Sequence, residues 1–212
     1  MSTPGPPQGA PAGALPNPSA MAKIVIAGGF GVGKTTFVGA VSEIPPVTTE
    51  TLITRLSTEV DDLSYVPHKV TTTVAMDFGR ITIDGSLVLY LFGTPGQTRF
   101  WFMWDRLVSG AIGAVVLADV RRLADSFAPI DYLEQKRLPF VVAVNQFDTA
   151  PRYHPEDIHH ALGVAADVPV LLGDARTRES AKQILIALVE HALQRRQTGH
   201  VGPPALTASS PR

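Results

Sequence analysis

The chain has 212 residues, 45% hydrophobic and 17% charged, with a formal net charge of −1 and no cysteine: enough apolar material for one α/β domain with a full core, plus tails. No block of like charge is present, which argues against nucleic acid as the main partner, because phosphate backbones demand clustered Lys and Arg. Without cysteine there can be no disulfide, thiolate metal site, prenyl or palmitoyl anchor, and Ser2 removes the N-myristoyl signal.

Residues 1–20 hold six Pro, three Gly and no charged side chain, a composition that cannot offset its own ordering entropy; a disordered tail is expected there. A Lys/Arg-led apolar leader is missing, and no apolar run is long enough to span a bilayer. The expectation is a cytoplasmic monomer with no membrane anchor of its own, recruited to a membrane only through partners. The folded domain is expected over residues 21–197. Lys23–Ala27 is the first strand and Lys34–Val41 begins a helix. A Pro- and Thr-rich loop is expected from Ser42 to about Thr72. Thr73–Ile83 and Leu87–Phe92 form a hairpin across Asp84-Gly85. Ile112–Ala118, Phe140–Val144 and Val168–Leu172 read as buried strands. Helices are expected at Phe100–Val108, Asp125–Arg137, Pro155–Leu162 and Thr177–Arg196, and a second disordered tail at 198–212. Alternating strands and helices imply a three-layer α/β fold with a mostly parallel six-stranded sheet and one antiparallel edge strand. Ligands in such sheets bind at the carboxyl ends of the strands.

Gly28-Gly29-Phe30-Gly31-Val32-Gly33-Lys34-Thr35 matches GxxxxGK[ST] between a strand and a helix. Gly28, Gly31, Val32 and Gly33 let the backbone wrap phosphate oxygens, and N–H groups at the helix start present positive charge to them. Lys34 is expected to bridge the β- and γ-phosphates. The Thr35 hydroxyl is expected to ligate Mg²⁺, with Thr36 beside it in the first turn. This motif alone leaves ATP and GTP, enzyme and inert binder, all open.

Asn145-Gln146-Phe147-Asp148 follows the strand Phe140–Val144. With the phosphate loop, it resembles the guanine motif NKxD of the Ras-like GTPase superfamily, in which the Asp carboxylate pairs guanine N1–H and the exocyclic amine. Adenine offers an acceptor at N1 and leaves that carboxylate unpaired. The resemblance assigns base choice to Asp148 and loop-tying to Asn145. Gln146 replaces the family Lys whose stem covers the base. Asp174-Ala175-Arg176 looks like the second guanine loop, S-A-K, with Ala175 N–H reaching the base oxygen and Arg176 in the Lys place.

Thr73-Val74-Ala75-Met76-Asp77-Phe78 resembles the end of switch I. The resemblance implies that Thr73 ligates Mg²⁺ and touches the γ-phosphate, with Thr71 and Thr72 as neighbours able to take the role. Gly93-Thr94-Pro95-Gly96-Gln97 resembles the switch II motif DxxGQ, implying a Gly96 N–H on the γ-phosphate and Gln97 orienting the attacking water. Two departures suggest slow hydrolysis. Gly93 stands where the family has a metal-holding Asp, leaving Asp77 or Asp119 as replacement candidates. Phe30 stands where Ras proteins have glycine. The T-P-G-Q run looks like the bacterial gliding-motility and polarity branch, and Gly93–Trp104 looks closer still to the conservon GTPases of actinomycetes. That likeness implies GTP/GDP and Mg²⁺ as ligands. It also implies a small roadblock-type regulator and other conservon products, including a membrane sensor, as partners. Phe100, Trp101, Phe102 and Trp104 cannot all face one core, so some are expected exposed or half-buried; either the patch docks a partner in one nucleotide state, or two rings pack under the helix and the others cover switch I. Arg80 and Arg99 are candidate arginine fingers. A nucleotide-loaded module with negligible turnover and an ATP-using P-loop enzyme are the alternatives.

Overall fold

The computed structural model describes residues 20–45, 47–53, 72–83, 87–96 and 98–199. Nearly all of both tails, the Asp84-Gly85 turn, Thr71 and Gln97 therefore lie outside the described residues. In chain order the elements are β1 (Ala20–Gly28), α1 (Lys34–Val41), β2 (Val47–Ile53), β3 (Thr72–Ile83) and β4 (Leu87–Gly93). A 3₁₀ stretch (Thr98–Met103) then leads into α2 (Trp104–Val108), followed by β5 (Ala111–Ala118). A second 3₁₀ stretch (Val120–Ser126) leads into α3 (Phe127–Gln135). The chain finishes with β6 (Phe140–Asn145), α4 (Pro155–Leu162), β7 (Val170–Gly173) and α5 (Arg178–Gln197).

The sheet order is β2-β3-β4-β1-β5-β6-β7. Only β3 runs against the others, pairing antiparallel with both β2 and β4. The expected mostly parallel sheet is present, and β2 adds a seventh strand outside β3, so the reversed strand lies one place in from the edge. The segment read as a loop from Ser42 holds this strand because Val47, Thr48, Thr49, Thr51 and Ile53 are β-branched and suit a pleated edge. The hairpin holds, with Ile83 opposite Leu87 and Phe78 opposite Phe92.

Strands buried on both faces read as continuous apolar runs, and their alternate residues feed two separate cores. Ile24, Ile26, Leu91, Val115, Leu117 and Val141 pack with Phe37 and Val38 of α1 and Leu185 and Leu188 of α5. Val25, Ala27, Val116 and Val142 pack with Trp104 of α2, Leu133 of α3 and Leu162 of α4. Each such side chain contributes about 1.5–3 kcal/mol on burial. Neighbours β4 and β5 lie on opposite sides of β1. The topology therefore switches at the carboxyl end of β1, which opens a crevice where Gly28 begins the phosphate loop.

Three expected boundaries moved for local reasons. Pro169 has no N–H to donate, and β7 starts one residue after it. The expected helix at Phe100–Val108 is half 3₁₀, whose eclipsed i, i+3 side chains bring Trp101 onto Trp104, centroids 4.9 Å apart and 19° from parallel. The helix expected from Asp125 begins at Phe127, after a kink at Arg122 (φ −145°, ψ 50°).

Candidate functional site

The phosphate loop is as compact as its glycines imply. Gly33 takes φ +106°, and a Cβ there would lie 2.7 Å from Asn145 Nδ2. It opens α1 with no side-chain cap, leaving first-turn N–H groups facing the loop. Thr35 and Thr36 are exposed in that turn. Lys34 is 9% exposed and donates from Nζ to the carbonyls of Gly28 (2.9 Å) and Gly29 (2.7 Å). Burial pushes its ammonium down to about 8, while the Asp77 carboxylate pulls the other way.

Asp77 fills the gap left by Gly93. A Cβ built on Gly93 would lie 3.0 Å from both Asp77 Cβ and Asp77 Oδ2, so the carboxylate from β3 occupies the space a side chain on β4 would take. Thr35 donates from Oγ1 to Asp77 Oδ2 at 2.8 Å. A hydroxyl and a carboxylate beside Lys34 make a hard oxygen pair. That pair fits Mg²⁺, which favours one or two protein oxygens completed by water and phosphate. Asp119, the other candidate, is committed elsewhere: Arg121 donates to it through Nε and Nη2 at 2.9 and 2.7 Å and holds its carboxyl below the usual range. No cluster of three or more acidic, His or Cys ligands occurs among the described residues.

At the base end, Asn145 is buried, donating from Nδ2 to Val32 O (2.9 Å) and accepting at Oδ1 from Ala175 N–H (3.0 Å). One side chain thus ties the phosphate loop to both base loops. Ala175 N–H, which the resemblance assigns to a base oxygen, donates here to Asn145, as a buried amide needs a partner. Gln146 joins the same frame through its backbone N–H to Gly173 O at 2.8 Å. Asp148 and Arg176 are exposed and face each other in a two-pronged pair, with both bonds 2.9 Å. Arg176 also binds Asp174 (2.8–3.1 Å), and its guanidinium holds both carboxyls below their usual range.

Gly96 reaches the phosphate loop. A Cβ there would lie 2.9 Å from Lys34 Nζ and 2.9 Å from Phe30 Cα, an approach open only to glycine. Thr73 sits opposite Leu52 in the β2–β3 ladder, four residues before Asp77. That is about 13 Å along the strand from Asp77, the residue that Thr35 meets. Arg80 lies past the far end of α1, its N–H on Ser42 Oγ, and is remote from the loop. The Arg99 side chain is outside those described. The aromatic run divides as expected: Trp104 is buried, Trp101 half-buried and Phe102 exposed. Trp101 and Trp104 line a cavity of about 480 Å³ with Gly29, Phe30, Gly96 and Arg122. Sequence reading passed over Arg122, whose Nη2 donates to Phe30 O. Its signal is a cation in the turn after β5, the strand beside β1.

A family model described as "Conserved hypothetical ATP binding protein" matches residues 26–195. The uncharacterized protein MJ1339 of Methanocaldococcus jannaschii is 33% identical over 128 residues, 59% of this chain and 70% of that protein. The Ras-related protein Rab-7b of Homo sapiens is 27% identical over 188 residues, 83% of this chain and 84% of that one. The G domain of the T. maritima FeoB iron transporter has TM-score 0.59 at 20% identity, covering 81% of this chain and 99% of that one. The FeoB G domain from Methanococcus jannaschii has TM-score 0.55 at 14% identity, covering 82% and 99%. Against the longer cytosolic domain of T. maritima FeoB, the chain spans 64% of that length. The fold is that of a Ras-like G domain, and, with the family match running from β1 into α5, the chain belongs to the family described as conserved hypothetical ATP binding protein.

Proposed function

We propose that the chain is a guanine-nucleotide switch that binds GTP or GDP with Mg²⁺ and hydrolyses GTP slowly. The observation that carries this reading is the Asn145 bridge, which makes the phosphate grip and the base loops one rigid unit. Lys34 and the α1 N–H groups would hold the phosphates. Thr35 and Asp77 would hold the metal, which when bound neutralises charge on the β- and γ-phosphates. Asp148 would select guanine, Gln97 would orient the water, and Thr73 and Gly96 would order with the γ-phosphate.

A second reading, ATP binding, is named by the family description. An exposed carboxylate at Asp148 favours guanine, because adenine N1 offers it no proton. Calorimetry with GDP and ADP on the wild type and Asp148→Ala decides between them. GDP preference that vanishes in the variant supports the proposal; ADP preference in the wild type overturns it. Phosphate release that is undetectable from bound GTP would favour a nucleotide-loaded module with negligible turnover.

The run Gly93–Trp104 and the exposed Phe102 support a place among conservon-type signalling GTPases. There a roadblock-type regulator would dock beside switch II, and a membrane sensor would recruit a cytoplasmic monomer. Phe102→Ala is expected to abolish binding to such a regulator without loss of stability, whereas Trp104→Ala should lower the melting temperature. Unchanged binding by the Phe102 variant would overturn that placement.

A further inference from the structure

We propose that Arg122 is the catalytic cation for phosphoryl transfer, supplied in cis from the turn between β5 and α3. The inference rests on the hydrolase reading above. Arg122 Nη2 donates to the carbonyl of Phe30, within the phosphate loop. Asp125 pairs with the same guanidinium at 3.0 Å. Asp125 also seats the turn on the loop: a Cβ on Gly29 would lie 2.8 Å from Asp125 Cβ and 3.0 Å from its Oδ2. The turn is therefore clamped to the loop from both Gly29 and Phe30.

The loop also lies close to Gly96. A Cβ on Gly96 would lie 2.9 Å from Phe30 Cα and 2.9 Å from Lys34 Nζ, so only a residue without one fits between them. Arg122 lines one cavity with Phe30 and Gly96. Lys34 marks the β/γ-phosphate position, and the Gly96 backbone stands between it and Phe30, whose carbonyl takes the Arg122 bond. The guanidinium's present partners are weak competitors for it: a neutral carbonyl and a carboxylate that is itself half-exposed. The Arg122 side chain is 52% exposed, so a turn inward would cost it only the Phe30 and Asp125 contacts and no packing. The neighbouring arginines are not free in this way. Arg121 is bound to Asp119 and lies over the Phe147 ring at 4.0 Å, and Arg176 is bound to Asp148 and Asp174. Phe30 is 67% exposed at a phosphate-loop position where its ring would crowd a partner's arginine; a resident cation removes the need for one.

In the step served, a water oxygen bonds to the γ-phosphorus as the bond from that phosphorus to the β–γ bridging oxygen breaks. The electron pair stays on the GDP β-phosphate, and the water's proton leaves with inorganic phosphate. Negative charge grows on the bridging and γ-oxygens, and a planar guanidinium can pair two of them at once. Arg122 stays protonated throughout.

The test uses the full chain with Arg122→Ala, Arg122→Gln and Arg122→Lys. The Gln variant keeps a donor for the Phe30 carbonyl but no charge, so it covers the case in which the Ala variant fails to fold. Measured are melting temperature, GDP affinity by calorimetry, single-turnover GTP hydrolysis, and formation of a GDP–aluminium fluoride complex by the protein alone. Expected are unchanged GDP affinity in all three and hydrolysis lowered about a hundredfold or more in Ala and Gln. The fluoride complex should be lost in those two and partly regained in Lys. Wild-type hydrolysis and fluoride binding in the Gln variant would overturn the proposal, as would a loss of GDP affinity matching the loss of rate. A wild type that binds GDP but does not turn over GTP, or binds no guanine nucleotide, sinks the underlying reading instead.

Discussion

The phosphate end and the base end of the crevice are built differently. At the end of β1 the cation is sheltered: Lys34 is 9% exposed, its ammonium donates to two carbonyls, and Asp77 fills a gap between two strands. At the ends of β6 and β7 Asn145 is a buried polar side chain, while the charged Asp148 and Arg176 side chains are 75% and 56% exposed. Sheltered charges interact strongly and resist salt; exposed pairs are weak and screened. On the proposed reading, the comparison places grip at the phosphate end and leaves choice of base to groups that can exchange partners freely.

The largest effect is expected at Lys34. Lys34→Met should weaken GDP binding by about a hundredfold or more in calorimetry, since it deletes a desolvated charge–phosphate contact. Protonation gives a second reading of the same group. The folded state holds this proton less tightly than the unfolded chain, so apo stability should rise as pH climbs from about 8 towards the ordinary lysine value. Phosphate binding needs the charged form, so nucleotide affinity should fall over the same range. A flat profile in both would break the sheltered-charge account.

Asp77→Ala comes next, with Mg²⁺ affinity of the nucleotide complex falling about 10–100-fold, read from a metal titration of GDP release. Moving the carboxylate back across the ladder, Asp77→Gly with Gly93→Asp, should restore most of it. If the swap fails while Asp77→Ala binds metal normally, Asp77 only fills space.

Asn145→Ala is expected to cost about 2–3 kcal/mol in urea unfolding, because Val32 O and Ala175 N–H lose their buried partner. The smallest effect belongs to Arg176. Arg176→Ala should change GDP affinity only a few-fold and flatten its dependence on sodium chloride, because an exposed pair that competes with the base for Asp148 is gone. A tenfold or greater change would erase the contrast between the two ends.

Much of this frame was legible in the residues. Lys34–Val41 and Pro155–Leu162 match their elements end for end: the first starts where the glycine loop ends, and the second has Pro at its first turn and left-handed Gly163 as its cap. The phosphate loop needed only spacing and strand context, whereas the loop-tying place of Asn145 came from the resemblance to the NKxD motif. What escaped depended on tertiary register. The choice between Asp77 and Asp119 turns on which one lies across from Gly93, a fact of hairpin pairing. Arg122 matters because a kinked turn is clamped to Gly29, about ninety residues earlier in the chain. Edge strand β2 was hidden by the prolines before it, although its own β-branched run carried the signal.

The chain has two tryptophans, and both lie beside the loop that follows Gly96. They are stacked on each other and edged by Tyr132, at 6.0 Å from Trp101 and 5.3 Å from Trp104. Any rearrangement of that loop alters the surroundings of a coupled indole pair. On the proposed switch reading the molecule carries its own optical reporter, and ultraviolet emission is expected to change with nucleotide exchange without a dye.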